Sequence, residues 1–105
     1  MYGTAWKEDS TKSLVISAIL AGFRAIDTAN QRKHYHEAAV GDALEYLISK
    51  NKIMRDEVFI QTKFTHINGQ DHRLPYNPDA DHQTQVKESF QRSLDHLKVN
   101  EIDSY

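Results

Sequence analysis

The sequence contains no cysteine, only two prolines, four glycines, and no excess of either charge sign: 13 Lys+Arg stand against 15 Asp+Glu in 105 residues, a net charge of −2. Without cysteine there is no disulfide framework, no thiolate nucleophile and no Cys-ligated zinc, and the composition fits a reducing, cytoplasmic setting. A near-neutral chain with intermixed charges has no electrostatic footprint for nucleic acid or for an anionic membrane surface. The longest apolar stretch, Leu14 to Phe23, is ten residues with a serine inside it, too short to span a bilayer. Met1-Tyr2-Gly3-Thr4-Ala5 lacks the basic start and cleavage pattern of a secretory signal. Apolar residues are sparse too: without the five tyrosines and with the four glycines they make up about 38%, against ~45–50% in typical domains. One domain with a thin core is the most this length supports.

What is present is an alternation. Leu14, Val15, Ala18 and Ile19 recur at helical spacing between Asp9-Ser10, a candidate N-cap, and Gly22, a candidate C′ residue, predicting a helix over 11–21. Phe23 to Asp27 follows as a short buried strand. Val40, Ala43, Leu44, Leu47 and Ile48 predict a second helix over 36–50, with Glu37 near its positive end and Lys50 and Lys52 near its negative one. Val58 to Phe64 is rich in β-branched and aromatic residues and reads as a strand. The 17 residues from Thr65 to Asp81 hold Gly69, Pro75 and Pro78 and form a long loop, a length usually functional or disordered. Val86, Phe90, Leu94 and Leu97 mark one face of a third helix over 82–98. With Tyr2 to Trp6 as an opening strand and Glu101 to Tyr105 as the start of another, the order is βαβαβαβ, which calls for a parallel sheet.

Three helices are fewer than a closed (β/α)₈ barrel needs, since such barrels take ~250 residues. A doubly wound sheet would instead put helices on both faces. The expectation is a partial TIM barrel: three βα units plus the start of a fourth strand, with helices on one side of the sheet only.

Polar residues cluster where the strands finish: Trp6-Lys7 after the first, Asp27-Thr28 after the second, Lys63 at the end of the third. In parallel α/β folds that rim is where sites are built. Asp27 and Lys63, at the ends of adjacent strands, are placed to pair, and Tyr35 follows in the next loop. A phenol near an ammonium ionises more readily and becomes a usable proton donor. The same spacing also fits a structural ion pair capping a barrel layer. The two histidines and carboxylate of His34-Tyr35-His36-Glu37 do not share a helix face and are a weak metal motif. His66, His72 and His82 in or beside the long loop read as solvated, as do Glu57, Asp71, Asp79, Asp81, Glu88 and Asp95. No G-x-G-x-x-G or P-loop string is present.

Gly22-Phe23-Arg24-Ala25-Ile26-Asp27-Thr28-Ala29, with Tyr35, Glu37, Val40 and Gly41, resembles the first signature of the aldo-keto reductases. Phe59-Ile60-Gln61-Thr62-Lys63-Phe64 and Gly3-Thr4-Ala5-Trp6-Lys7 resemble two further strands of that family, in the right order. Most members keep Asp and Tyr five residues apart, whereas Asp27 and Tyr35 are eight apart. The Lys33-His34-Tyr35 string, with Gly69-Gln70-Asp71 and Leu74-Pro75-Tyr76, is similar to a branch with a longer spacer. The resemblance implies a (β/α)₈ barrel, of which residues 1–105 would be an N-terminal fragment, and NADPH-dependent reduction of aldehydes or ketones. It implies Asp27, Tyr35 and Lys63 as catalytic residues: Tyr35 protonating the carbonyl oxygen, Lys63 favouring its ionisation, Asp27 pairing with Lys63 and seating the cofactor. Thr4 and Lys7 would approach the cofactor and Trp6 would line the pocket of a small carbonyl substrate. The family's catalytic histidine follows the fourth strand, so the fragment is expected to be inactive alone. The alternative is a non-catalytic product whose exposed sheet edges bind another chain.

Overall fold

The computed structural model describes all 105 residues. Its elements are β1 (Tyr2–Gly3), α1 (Thr11–Leu20), β2 (Ala25–Asp27), α2 (Glu37–Ser49), β3 (Phe59–Gln61) and α3 (His82–Leu97), with short 3₁₀ turns at Glu8–Ser10, Arg55–Glu57 and Ile67–Gly69. The strands pair in parallel in the order β1-β2-β3, with Ile26 facing Tyr2 on one side and Ile60 on the other. A fourth strand begins as a single parallel bridge from Gln61 to Ser104. The alternation predicted from sequence is therefore present, in strands shorter than the apolar runs suggest.

Side-chain parity decides which face is covered. Ile26 and Ile60 are fully buried, and they share one core with Val15 and Ile19 of α1, Val40, Ala43, Leu44 and Leu47 of α2, and Leu97 of α3. Ala25, Asp27, Phe59 and Gln61 point the other way and stay half-buried or exposed. All three helices therefore cover one face of an unclosed sheet, as expected of the opening of a TIM barrel. No helix is long and apolar enough to cross a membrane.

The helices depart from the sequence reading in instructive ways. Leu14 is 38% exposed and Thr11 takes its place in the core, one turn before Val15. Ser10 caps α1 without a side-chain hydrogen bond, while the Thr11 hydroxyl donates to the Glu8 carbonyl. At the other end Gly22 sits at φ +114°, a conformation that costs glycine little, and its N–H closes on the Ile19 carbonyl.

The larger difference lies in α3. Its buried stripe is Gln85, Ser89, Ser93 and Leu97, whereas Val86 is exposed and Phe90 and Leu94 are half-buried, Phe90 against Tyr105. Only Leu97 reaches the apolar core. The polar stripe faces the polar start of α2, the loop ahead of it and the end of the long loop: Asn30 Nδ2 donates to the Ser89 carbonyl, the Ser93 hydroxyl donates to Glu37, and Gln85 Nε2 donates to the carbonyls of Pro78 and Ala80. Short serines let the helices approach closely while their hydroxyls find partners.

Candidate active site at the strand ends

Asp27 ends β2, and Lys63 lies two residues beyond β3, on the face away from the helices. Lys63 Nζ donates to Asp27 Oδ1 at 2.7 Å and to the Thr28 carbonyl at 2.9 Å. The Lys63 side chain is 41% exposed and that of Asp27 21%, so the pair is partly open to solvent. Gln61 Nε2 donates to the same Asp27 oxygen at 2.8 Å. From the other side the Thr4 hydroxyl, fully buried, donates to the Asp27 carbonyl at 2.8 Å. Asp27 is thus held before any ligand arrives, its carboxylate by Gln61 and Lys63 and its main chain by Thr4.

Tyr35, in the loop between β2 and α2, brings its ring to 5.4 Å from Lys63 Nζ. That distance is within cation–π range. Trp6 stands at φ +62°, 71% exposed, with its ring 3.9 Å from that of His34 and its main-chain N–H donating to the His34 carbonyl. Lys7 turns back over the Tyr2 ring at 5.2 Å. Asp27, Tyr35 and Lys63 therefore come together as the sequence suggested, with Trp6 stacked on His34, the residue before Tyr35; Thr4 is placed beneath Asp27 and Lys7 at the β1 end.

The His34 to Glu37 string divides among three surroundings: His34 on Trp6, His36 at the N-terminus of α2, and Glu37 in the interior. No group of three or more His, Cys, Asp or Glu side chains is placed to hold a metal ion.

The profile of the aldo/keto reductase family matches residues 2–105, almost the full sequence. The chain belongs to the aldo/keto reductase family. An aldo-keto reductase of Mycobacterium avium (strain 104) is 36% identical over 98 residues, covering 93% of this chain and 28% of that protein. An NADP-dependent D-sorbitol-6-phosphate dehydrogenase of Malus domestica is 31% identical over 99 residues, covering 94% of this chain and 27% of the dehydrogenase. Among solved structures, Bombyx mori aldo-keto reductase in complex with NADP superimposes with TM-score 0.72 at 27% identity, over 96% of this chain and 31% of that one. Aldose reductase from Schistosoma japonicum shares the fold, with TM-score 0.71 at 23% identity over 96% and 29% of the two chains. The chain spans less than a third of the length of these relatives.

Two side chains inside the signature strings of this aldo/keto reductase chain make contacts that the strings do not disclose. The first is Gln61, whose amide shares Asp27 with Lys63; its parity with Asp27 across the β2–β3 pair was the available signal. The second is Glu37, only 3% exposed, whose Oε2 accepts from the hydroxyls of Thr62 and Ser93 and whose Oε1 meets His96 Nδ1 at 2.9 Å. It sits near the positive end of α2 as the sequence predicts, and it also ties that helix to the exit of β3 and to α3. In the long loop, Arg73 grips Asp71 and the resulting hydrogen bonds hold that carboxyl well below the usual carboxylate range. Tyr76 is buried there, donates to the Thr65 carbonyl at 2.7 Å, and burial pushes its phenol up. Asp81 and Glu88 likewise act locally, accepting from the Thr84 and Asn77 N–H groups.

Proposed function

We propose that the chain supplies the proton-donating side of an NADPH-dependent carbonyl reductase, which converts aldehydes or ketones to alcohols. The observation that carries this reading is the Lys63–Asp27 pair at 2.7 Å with the Tyr35 ring 5.4 Å from the same ammonium, at the open end of parallel strands. The donor set fits the reacting end of a nicotinamide dinucleotide: a carboxylate oriented by Gln61 on a main chain held by Thr4, an ammonium and a phenol gather at the strand ends, and an exposed indole follows β1. The names of the apple dehydrogenase and the silkworm structure, which carry NADP, point the same way.

The reduced nicotinamide, when bound, supplies the hydride. Tyr35 gives its hydroxyl proton to the carbonyl oxygen of the substrate, so the phenolic O–H bond breaks as the alcohol O–H forms. Lys63 favours the phenolate left behind, through a positive charge close to the ring. Asp27 holds Lys63 in place and, with Lys7 and with Thr4 acting through the Asp27 backbone, borders the cofactor. Trp6 forms a wall of the pocket for a small carbonyl compound. The Lys33-His34-Tyr35 string, with Gly69-Gln70-Asp71 and Leu74-Pro75-Tyr76, supports membership of the branch with the long Asp-to-Tyr spacer. Residues 1–105 form an N-terminal portion of one barrel domain, in a cytoplasmic enzyme, and do not turn over substrate alone.

A second reading is association with another chain. The outer edge of β1 pairs with no strand, and Phe59 is 43% exposed on the uncovered face.

The test is a chimera in which residues 1–105 replace the matching segment of the Mycobacterium avium enzyme, assayed by NADPH oxidation with a panel of aldehydes and ketones. Turnover is expected in the chimera and not in the chain alone, with Tyr35→Phe and Lys63→Met each lowering kcat by ~10²-fold or more. A chimera indifferent to both substitutions would refute the assignment. Sedimentation of the chain alone addresses the second reading.

A further inference from the structure

A cavity of about 300 Å³ opens between the loop after β2, the start of α2, the long loop and α3. It is built wholly from elements within this chain. Its charged lining comprises Arg32, Arg73 and Arg92 against the single carboxylate of Glu37, with His36 and His96 at the same wall. Arg73 is committed to Asp71 and to the Arg32 carbonyl, and both Glu37 oxygens are engaged by Thr62, Ser93 and His96. The carboxylate thus has little capacity left to attract a cation. The guanidinium groups of Arg32 (half-buried) and Arg92 (exposed) have no carboxylate partner within 4.0 Å and donate no hydrogen bond, and His36 Nδ1 is buried without a hydrogen-bond partner.

We propose that this cavity is a binding site for a phosphate group, free or as a monoester, held by Arg32 and Arg92. Guanidinium groups bind tetrahedral oxyanions through paired, charge-assisted hydrogen bonds. Ala38, in the first turn of α2, also lines the cavity, so the positive end of that helix adds to the field. Because Arg92 is exposed, affinity falls with added salt. Tyr35 lines the same cavity, so an organic phosphate seated here would extend toward the strand-end residues.

The experiment is an amide NMR titration of this chain at constant ionic strength with inorganic phosphate, glycerol 3-phosphate, glycerol and acetate. Saturable shifts centred on Arg32, His36, Ala38 and Arg92 are expected with both phosphates and not with glycerol. Equal affinity for the two would show that the phosphate group alone is recognised, and tighter glycerol 3-phosphate binding that a monoester is preferred. Arg32→Gln and Arg92→Gln should each weaken binding about tenfold and together abolish saturation, while Lys98→Gln, which removes a cation paired elsewhere with Asp42 and Glu45, leaves it unchanged. Dispersed spectra of the variants verify their folds. Shifts linear in phosphate, acetate binding as tightly as phosphate, or a double variant that binds like the parent would overturn the proposal.

Discussion

The carbonyl oxygen of His96 lies 1.9 Å from where a β-carbon on Gly41 would be. The middle of α2 and the last turn of α3 therefore meet backbone to backbone, a contact that glycine alone permits. Gly41→Ala would gain up to ~1 kcal/mol in helix propensity, but it would force the helices apart at a cost of ~1–3 kcal/mol or more. A lower urea midpoint is expected for this variant. Gly3→Ala, whose added methyl meets nothing within 4 Å, should stay within ~0.5 kcal/mol of the parent and serves as control. Equal midpoints for the two variants would contradict the close approach.

Glu37 gives a second expectation. Glu37→Ala leaves the buried hydroxyls of Thr62 and Ser93 without their acceptor, at ~1–3 kcal/mol for each group left unpaired. Against a total stability of ~5–15 kcal/mol, that is enough to threaten the fold. Glu37→Gln keeps an acceptor oxygen and should lose less. Chemical denaturation with both variants checks the order, and an alanine variant as stable as the glutamine one would show that the hydroxyls find other partners.

The third concerns acid. Burial pushes the Asp103 carboxyl up, but the Ile60 N–H and the Arg55 guanidinium bonded to it outweigh that, leaving it below the usual carboxylate range. A carboxyl depressed in the folded state binds fewer protons there than in the unfolded chain. Its stabilising contribution is complete above the ordinary carboxylate value and lost as pH falls through the lower folded one. Unfolding free energy measured from pH 6 downward should fall more steeply in the parent than in Asp103→Asn. Parallel curves would mean that Asp103 carries none of the dependence.

The fourth tests which face of α3 is buried. Val86→Lys should change stability by no more than ~0.5 kcal/mol, whereas Ser89→Leu forces a large side chain into the close approach to the loop at Asn30, at ~1–3 kcal/mol. The opposite ranking would restore the apolar face as the packed one.

That contrast shows where the sequence is readable. A parallel alternation of strands and helices follows from apolar spacing in α1 and α2, because the core they enter is built from Ile26 and Ile60. Asp27 and Lys63 are legible because a strand end in a parallel sheet has a fixed orientation. The packing of α3 is not, since hydrophobic periodicity favours Val86, Phe90 and Leu94, while the helix docks through Gln85, Ser89 and Ser93 onto polar groups that only the fold assembles. Glu37 is hidden for the same reason: its partners come from β3's exit and from α3, 25 and more residues away in sequence.

Lys63 has two anchors of different kinds. One is a carboxylate that a substitution can neutralise; the other is the Thr28 carbonyl, which belongs to the main chain and survives every side-chain replacement. Charge and position are consequently separable at this amine. Asp27→Asn would alter the electrostatic surroundings of Lys63 while the peptide oxygen still tethers it, so the charge influence on the neighbouring phenol can be varied with the position held.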